Sequence, residues 1–251
     1  MNEQSQAFTP NVERYHALMD VIRGRMTSRA FRDDIEIPRE HFDMVLEAAR
    51  HGPSGANAQP WHYIVVTDSD VKRKIANYFV EEARKRAKLK MKFPTPNYRG
   101  LETAPGFVVV AADFRFVRAF PVLLDGSELD KQYQVNAERI LLQSVAASTM
   151  SAHLAAAALG YQVWWVTAIG QDDAQKEIRP LLGVPDDLAI IDIMLFGVPA
   201  KAPYKRWKKT LPQIMSWDRF DMKNHMTVDQ IEDWVRETRH KVMYRDEAKV
   251  D

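Results

Sequence analysis

Apolar residues at Val12, Tyr15, Leu18, Met19 and Ile22 share one helical face and predict a first helix over 12–23. Phe42, Val45, Leu46 and Ala49 recur at helical spacing and predict a second, with Pro38 in its first turn and Gly52-Pro53 ending it. Then the period shortens. WHYIVV (Trp61 to Val66), FVVVAA (Phe107 to Ala112), VWWVT (Val163 to Thr167) and AIIDIMLFGV (Ala189 to Val198) read as four strands. Between them, Asp68 to about Lys88 reads as a helix with a strongly basic far half, Phe93 to Gly100 as a Pro-rich loop, and Ala174 to Leu182 as a short helix. The longest helical stretch, Tyr133 to Leu159, is dense in Ala, Ser and Leu around most of its circumference. That predicts burial nearly all round, with Gly160 at the C′ position. Such a helix spans roughly 40 Å and suits a central or interface position.

The pattern breaks at Pro199. PAKAPYKRWKKTLPQIMSWDRF is an irregular Pro- and Lys-rich arm, after which Thr227 caps a last helix over about Val228 to Arg239. Helices alternating with strands give an α/β or α+β layered domain. The expectation is one domain over 1–251, with 199–251 as an arm that wraps a partner subunit in preference to packing on its own domain.

Composition narrows the chemistry. The hydrophobic fraction of 46% and charged fraction of 27% are ordinary for a globular chain. A formal net charge of +1 offers no field for a polyanion, so no nucleic-acid partner is expected. The chain has no cysteine, which excludes disulfides, thiolate nucleophiles and cysteine metal sites. The polar start MNEQSQAFTP is not a signal peptide, and apolar runs stop short of the ~20 residues of a membrane helix. A cytoplasmic protein without membrane association is expected. GxGxxG, GxxxxGK[ST], HExxH and GxSxG are all missing, the seven histidines have no ligand spacing, and His153 reads as a hydrogen-bonded core residue. No catalytic side chain and no metal site is assigned. If the chain is an enzyme, a bound cofactor supplies the reactivity.

Three segments are polar where local structure does not require it. They are RMTSRAF with Arg25, Thr27, Ser28 and Arg29; HGPSGANAQPW with Ser54, Asn57 and Gln59; and KRWKKTLP with Arg206, Lys208 and Lys209. Two basic segments could converge on a phosphate, which rewards several charge-assisted hydrogen bonds. The middle loop would suit a flat heterocycle with carbonyls and ring nitrogens. Composition alone leaves the plain readings open: a solvated helix end, a turn whose side chains cap backbone groups, and a wet lysine surface.

The run R-x-[ST]-x-R-x-F at Arg25 to Phe31, followed by PSGANAQPW at Pro53 to Trp61, resembles the FMN-dependent nitroreductase family. ETAP before a buried strand, LG after a long Ala-rich helix, and LFGVPA…KKTLPQIMSWDRF extend the likeness from about Ile22 to Phe220. The resemblance implies an α+β three-layer sandwich with a mixed sheet flanked by helices, a long buried central helix and a C-terminal arm embracing the partner of a homodimer. FMN would lie at the interface. By position, Arg25, Met26 (through its backbone), Thr27 and Arg29 would meet its phosphate, ribityl chain and pyrimidine edge. Pro53, Ser54, Gly55 and Asn57 would contact the ring, Val166, Thr167 and Ala168 would present an N–H to flavin N5, and Lys208 with Lys209 would reach the phosphate. Asn97 stands where some members place a further contact.

Two features depart from the family pattern. Met26 replaces a second Arg or His, and Trp164-Trp165 stands where relatives carry smaller or polar residues, leaving an aromatic pocket and plain core packing both open. The segment around Asp70 to Lys88 also resembles the iodotyrosine deiodinase branch, but Ala87 and Tyr98 fall where that branch places substrate-holding residues, which disfavours a true deiodinase. The basic lid region, about Tyr78 to Gly100, reads as a solvated face ahead of an anionic-substrate site. The expected function is an FMN-dependent oxidoreductase: NADPH or NADH reduces FMN, which reduces a small-molecule acceptor such as a nitroaromatic or quinone in ping-pong turnover. The alternatives are reductive dehalogenation, oxygen-dependent flavin fragmentation to dimethylbenzimidazole, and a flavin carrier or sensor without turnover.

Overall fold

Phe107–Ala112 is buried at every position, and the sheet is built around it. In the computed structural model, residues 9–89, 98–202 and 208–239 are described. The strands are β1 (Trp61–Val66), β2 (Phe107–Ala112), β3 (Gln162–Val166) and β4 (Ala189–Gly197). The helices are α1 (Val12–Gly24), α2 (Arg39–Arg50), α3 (Ser69–Ala87), α4 (Gly100–Thr103), α5 (Glu128–Ala158), α6 (Asp172–Leu182) and α7 (Val228–Trp234), the last followed by a π-helical turn to Arg239. Sheet order is β1-β2-β4-β3.

Successive strand residues face opposite sides of the sheet, and each side has its own core. Phe107, Val109, Trp164, Ile193 and Leu195 pack with Ile75 and Phe79 of α3 and Ile178 of α6. Val108, Val110, Val163, Met194 and Phe196 pack with Phe42 and Val45 of α2 and Val145, Ala152 and Ala156 of α5. The fold is therefore the expected α+β sandwich of helices, sheet and helices. The sheet itself is not mixed: each neighbouring strand pair is antiparallel. β2 and β3, joined across α5, do run in the same direction, but β4 inserts between them and is antiparallel to both. The parallel element that remains is an isolated bridge between Thr27 and Val163.

Helix ends follow local chemistry. Pro38 occupies the N-cap of α2 instead of its first turn. Gly160, with φ of +90°, follows the C-cap of α5, as expected for a C′ residue. Thr227 and Gln230 form a capping box at α7. α5 begins at Glu128, earlier than the apolar run suggests, because Ser127 accepts from the N–H of Asp130. Asp130 then holds the preceding turn. Its carboxylate accepts from the N–H groups of Leu123 (3.1 Å), Leu124 (2.9 Å) and Gly126 (3.1 Å) and from Gln134 Nε2 (2.8 Å). Burial alone would raise its pKa; the donors around it outweigh that and hold it below the ordinary value. A depressed carboxylate stabilises the fold above its unfolded pKa and loses that contribution as pH falls through the folded one. Asp130→Asn should lower the urea midpoint at neutral pH, and the two proteins' midpoints should converge in acid. Parallel midpoint curves down to acid pH would refute this role.

The expectation that α5 is buried nearly all round holds for Ser144 to Ala157 only. Its first half leaves Leu129, Tyr133, Val135 and Leu142 exposed. α5 is long and apolar enough to cross a membrane by length and composition, but its second half is packed as a core helix. α1 has no buried residue, and Val12, Tyr15 and Leu18 are each more than half exposed. The arm leaves the sheet beside Phe31, opposite Pro199, and carries Trp217, 81% exposed, with Phe220 and Met222.

Candidate functional site

The basic segment is sewn to the edge of β3. Met26 N–H donates to Gln162 Oε1 (2.8 Å), Val163 N–H to Met26 O (3.2 Å) and Ser28 N–H to Val163 O (3.0 Å). Phe31 fills the core, Arg32 N–H donates to Val198 O (2.9 Å) and Ala200 N–H to Ala30 O (3.0 Å). These bonds fix the segment from both sides. Ser28 is turned inward, where its hydroxyl donates to Ala30 O (2.8 Å); Arg25, Thr27 and Arg29 remain half-exposed. Arg29 places its guanidinium carbon 5.9 Å from the centre of the Trp164 ring. Its Nε is buried with no hydrogen-bond partner among the described residues. A buried donor on a cation is costly unless an acceptor meets it, so this atom fits an anionic or carbonyl ligand.

Beyond the same strand edge lies the turn Val166–Ala168, with Val166 buried, Thr167 exposed and Ala168 half-buried. The hydrogen bonds thus join the basic segment to Gln162 and Val163 at the start of β3, and the turn Val166–Ala168 follows the other end of that strand. Arg25 also lies near His153 on α5. Burial, with a smaller contribution from the Arg25 charge, lowers the His153 pKa to about 3. His153 is in the core as expected, but its Nε2 has no partner among the described residues, against the expectation of a hydrogen-bonded ring. It packs edge-on to Trp165.

The second polar loop sits elsewhere on α5. Gly52 lies so close to the helix that a Cβ would meet Ser148 Cα at 2.7 Å, and Gly55 N–H donates to Ser144 Oγ (3.1 Å). Ser54 Oγ accepts from Gln59 N–H (3.1 Å), and Gln59 Nε2 reaches Asn57 Oδ1 (3.2 Å). Ser54 and Gln59 thus do brace the loop, as the plain turn reading has it. Bracing leaves strain behind: Ala56, Asn57 and Gln59 all have positive φ, at 51°, 50° and 46°. Non-glycine residues held there concentrate at binding sites. Ser144 and His153 are nine residues apart on α5, about 13 Å along its axis. No hydrogen bond joins this loop to the basic segment within the protomer, among the described residues.

Lys208 and Lys209 are exposed and make no hydrogen bond or ion pair among the described residues. Asn97 and Arg206 lie outside the described residues. Trp164 proves to be core, 4% exposed, stacked on Tyr98. Sequence reasoning missed Asp192 and Thr149. Thr149 Oγ1 donates to Asp192 Oδ2 (3.2 Å) beneath α5, and burial raises the Asp192 pKa. The available signal was a single acid inside the apolar run AIIDIMLFG. Among the described residues no cluster of three metal-ligating side chains forms.

The profile of the Nitroreductase family matches residues 22–198. The chain belongs to the nitroreductase family. A protein of Archaeoglobus fulgidus provisionally named NADH dehydrogenase/NAD(P)H nitroreductase is 27% identical over 175 residues, 69% of this chain and 82% of that one. Iodotyrosine deiodinase 1 of Rattus norvegicus is 29% identical over 194 residues, covering 71% and 62%. Among solved structures, NfrA2 of B. megaterium aligns with a TM-score of 0.63 at 19% identity, over 86% of this chain and 79% of that one. An FMN-dependent nitroreductase from Clostridium difficile R20291 aligns at 0.58 and 20%, over 80% and 99%. These likenesses place the basic segment and both sheet faces inside a nitroreductase fold.

Proposed function

We propose that this nitroreductase-family chain is an FMN-dependent oxidoreductase drawing electrons from NADPH or NADH. The observation that carries the reading is the buried Nε of Arg29 beside the β3 edge, which has no hydrogen-bond partner among the described residues. Held by Arg25, Thr27, Arg29 and the Val166–Ala168 turn, a bound FMN would supply two-electron transfer between the nicotinamide and an electron-poor acceptor, a nitroaromatic or quinone.

The chain's own residues bind, orient and tune. Arg29 supplies a fixed positive charge and a free N–H donor, which favour the more negative, reduced state of a flavin pyrimidine edge. Arg25 and Thr27 face the same edge and suit the ribityl chain and phosphate, joined by Lys208 and Lys209 from the arm. The backbone of Met26 is already engaged with Gln162 and Val163, so it positions its neighbours and has no N–H left for the cofactor. The turn Val166–Ala168 suits flavin N5. No side chain is assigned as general acid or base, since His153, the ring that feels the Arg25 charge, is held neutral in the core.

The strained loop Pro53–Gln59 suits the ring of a second site, the one built on the partner's Arg29. The exposed apolar faces of α1, the first half of α5 and the arm support such a homodimer.

A visible spectrum of the purified protein should show flavin bands that bleach under anaerobic NADPH or NADH and recover with a nitroaromatic or quinone. A halogenated phenol belongs in the same screen because of the deiodinase relative. Absence of flavin bands after incubation with FMN would sink the reading. Bands that persist with both nicotinamides would keep the cofactor and overturn the reductase.

A further inference from the structure

Arg29 has one partner among the described residues for its guanidinium, the Trp164 ring. That ring is itself held. Tyr98 stacks on it with centroids 5.8 Å apart and planes at 21°, and Phe79 of α3 stacks on Tyr98 at 5.1 Å and 29°. Three rings and one guanidinium make a column from α3 to the strand edge. Gly100 seals its near side: a Cβ there would meet Trp164 Cζ3 at 3.1 Å and the Arg29 carbonyl at 2.0 Å. A long arginine side chain left to itself spreads over many rotamers, and fixing it costs entropy. A buried aromatic face against the guanidinium removes that cost in advance and adds cation–π attraction.

We propose that Trp164 is a positioning residue for the cofactor: it pre-orders Arg29 so that the free Nε is presented to the flavin before the flavin arrives. The proposal rests on the FMN reading above. Its consequence is a tuned potential. A cation held in place discriminates between the neutral oxidised flavin and the more negative reduced one, whereas a mobile cation discriminates less.

The test uses the full-length protein and reads FMN dissociation constant and two-electron midpoint potential, neither of which requires turnover. Trp164→Leu should weaken FMN binding about tenfold, the upper part of the range for a desolvated cation–π contact. To the extent that the loss falls on the reduced form, the potential drops by about 30 mV per tenfold. Trp164→Phe, which keeps an aromatic face, should restore most of both. In an Arg29→Ala background Trp164→Leu should change neither quantity, because the residue acts through Arg29. Ile178→Ala trims the same core elsewhere and serves as the comparison for general loosening. Wild-type affinity and potential in Trp164→Leu, or shifts matched by Ile178→Ala, or undiminished shifts in the Arg29→Ala background, would each overturn the positioning role while leaving FMN binding intact. A wild-type protein that binds no FMN would overturn the FMN reading and this one together.

Discussion

Gly100→Ala should lower the melting temperature by about 6–12 °C, with a parallel loss of FMN affinity. The reason is the close approach of two backbones. A Cβ at position 100 would sit 2.0 Å from the Arg29 carbonyl oxygen and 2.7 Å from its carbon. Neither side can retreat cheaply. Arg29 is flanked by the Ser28–Val163 and Ala200–Ala30 hydrogen bonds, and α4 is anchored by Leu101 and Ala104, both buried. Relief requires breaking one of those bonds or dislodging α4, a cost of about 3 kcal/mol at the top of the usual overpacking range. For a chain of this size that converts to the stated shift. Since the displaced atoms belong to Arg29, the guanidinium moves with them. Gly24→Ala, where nothing lies within 4 Å of the added carbon, should leave the melting temperature within about 1–2 °C. Thermal denaturation with an FMN titration on both variants decides it; a Gly100→Ala protein that melts and binds like wild type would refute the argument.

That contact shows where sequence reading stops. Periodicity made the four strands, α2 and α6 legible, because each buries a face whose repeat is written locally. Gly160 and Thr227 were legible as caps for the same reason. Strand order was not: β4 enters between β2 and β3, and nothing local to either strand records its neighbour. The composition of α5 was readable, but its burial was not, since Leu129, Tyr133 and Leu142 carry the same apolar signal as residues that do face the sheet. At the site, the excess polarity of Arg25–Arg29 and Ser54–Gln59 was visible because turns do not need it. Gly100 looked like the end of a loop, and its role depends wholly on what stands opposite. Trp164 and Trp165 are adjacent in sequence yet face opposite sides of the sheet, one stacked on Tyr98 and the other against His153. The pattern WWV alone could not separate a pocket wall from core.

Mixed dimers should separate the two ways of assembling the site. Arg29→Ala alone should weaken FMN binding about ten- to a hundredfold, the range for losing a hydrogen bond to a charged group. The Ser54→Ala/Asn57→Ala double variant should weaken it through the loop. Each homodimer then lacks one half of both sites. If the loop serves the partner's cofactor, a heterodimer of the two variants contains one site with both halves damaged and one with both intact. It should bind one FMN per dimer with wild-type affinity. If each protomer builds its site alone, both sites in the heterodimer are damaged and neither recovers. Co-expression with two different tags isolates the heterodimer, and flavin absorbance per protein gives the stoichiometry. The exposed apolar faces beside both halves favour the shared arrangement. A protein that sediments as a monomer, or a heterodimer without a recovered site, would return the loop to its own protomer's cofactor.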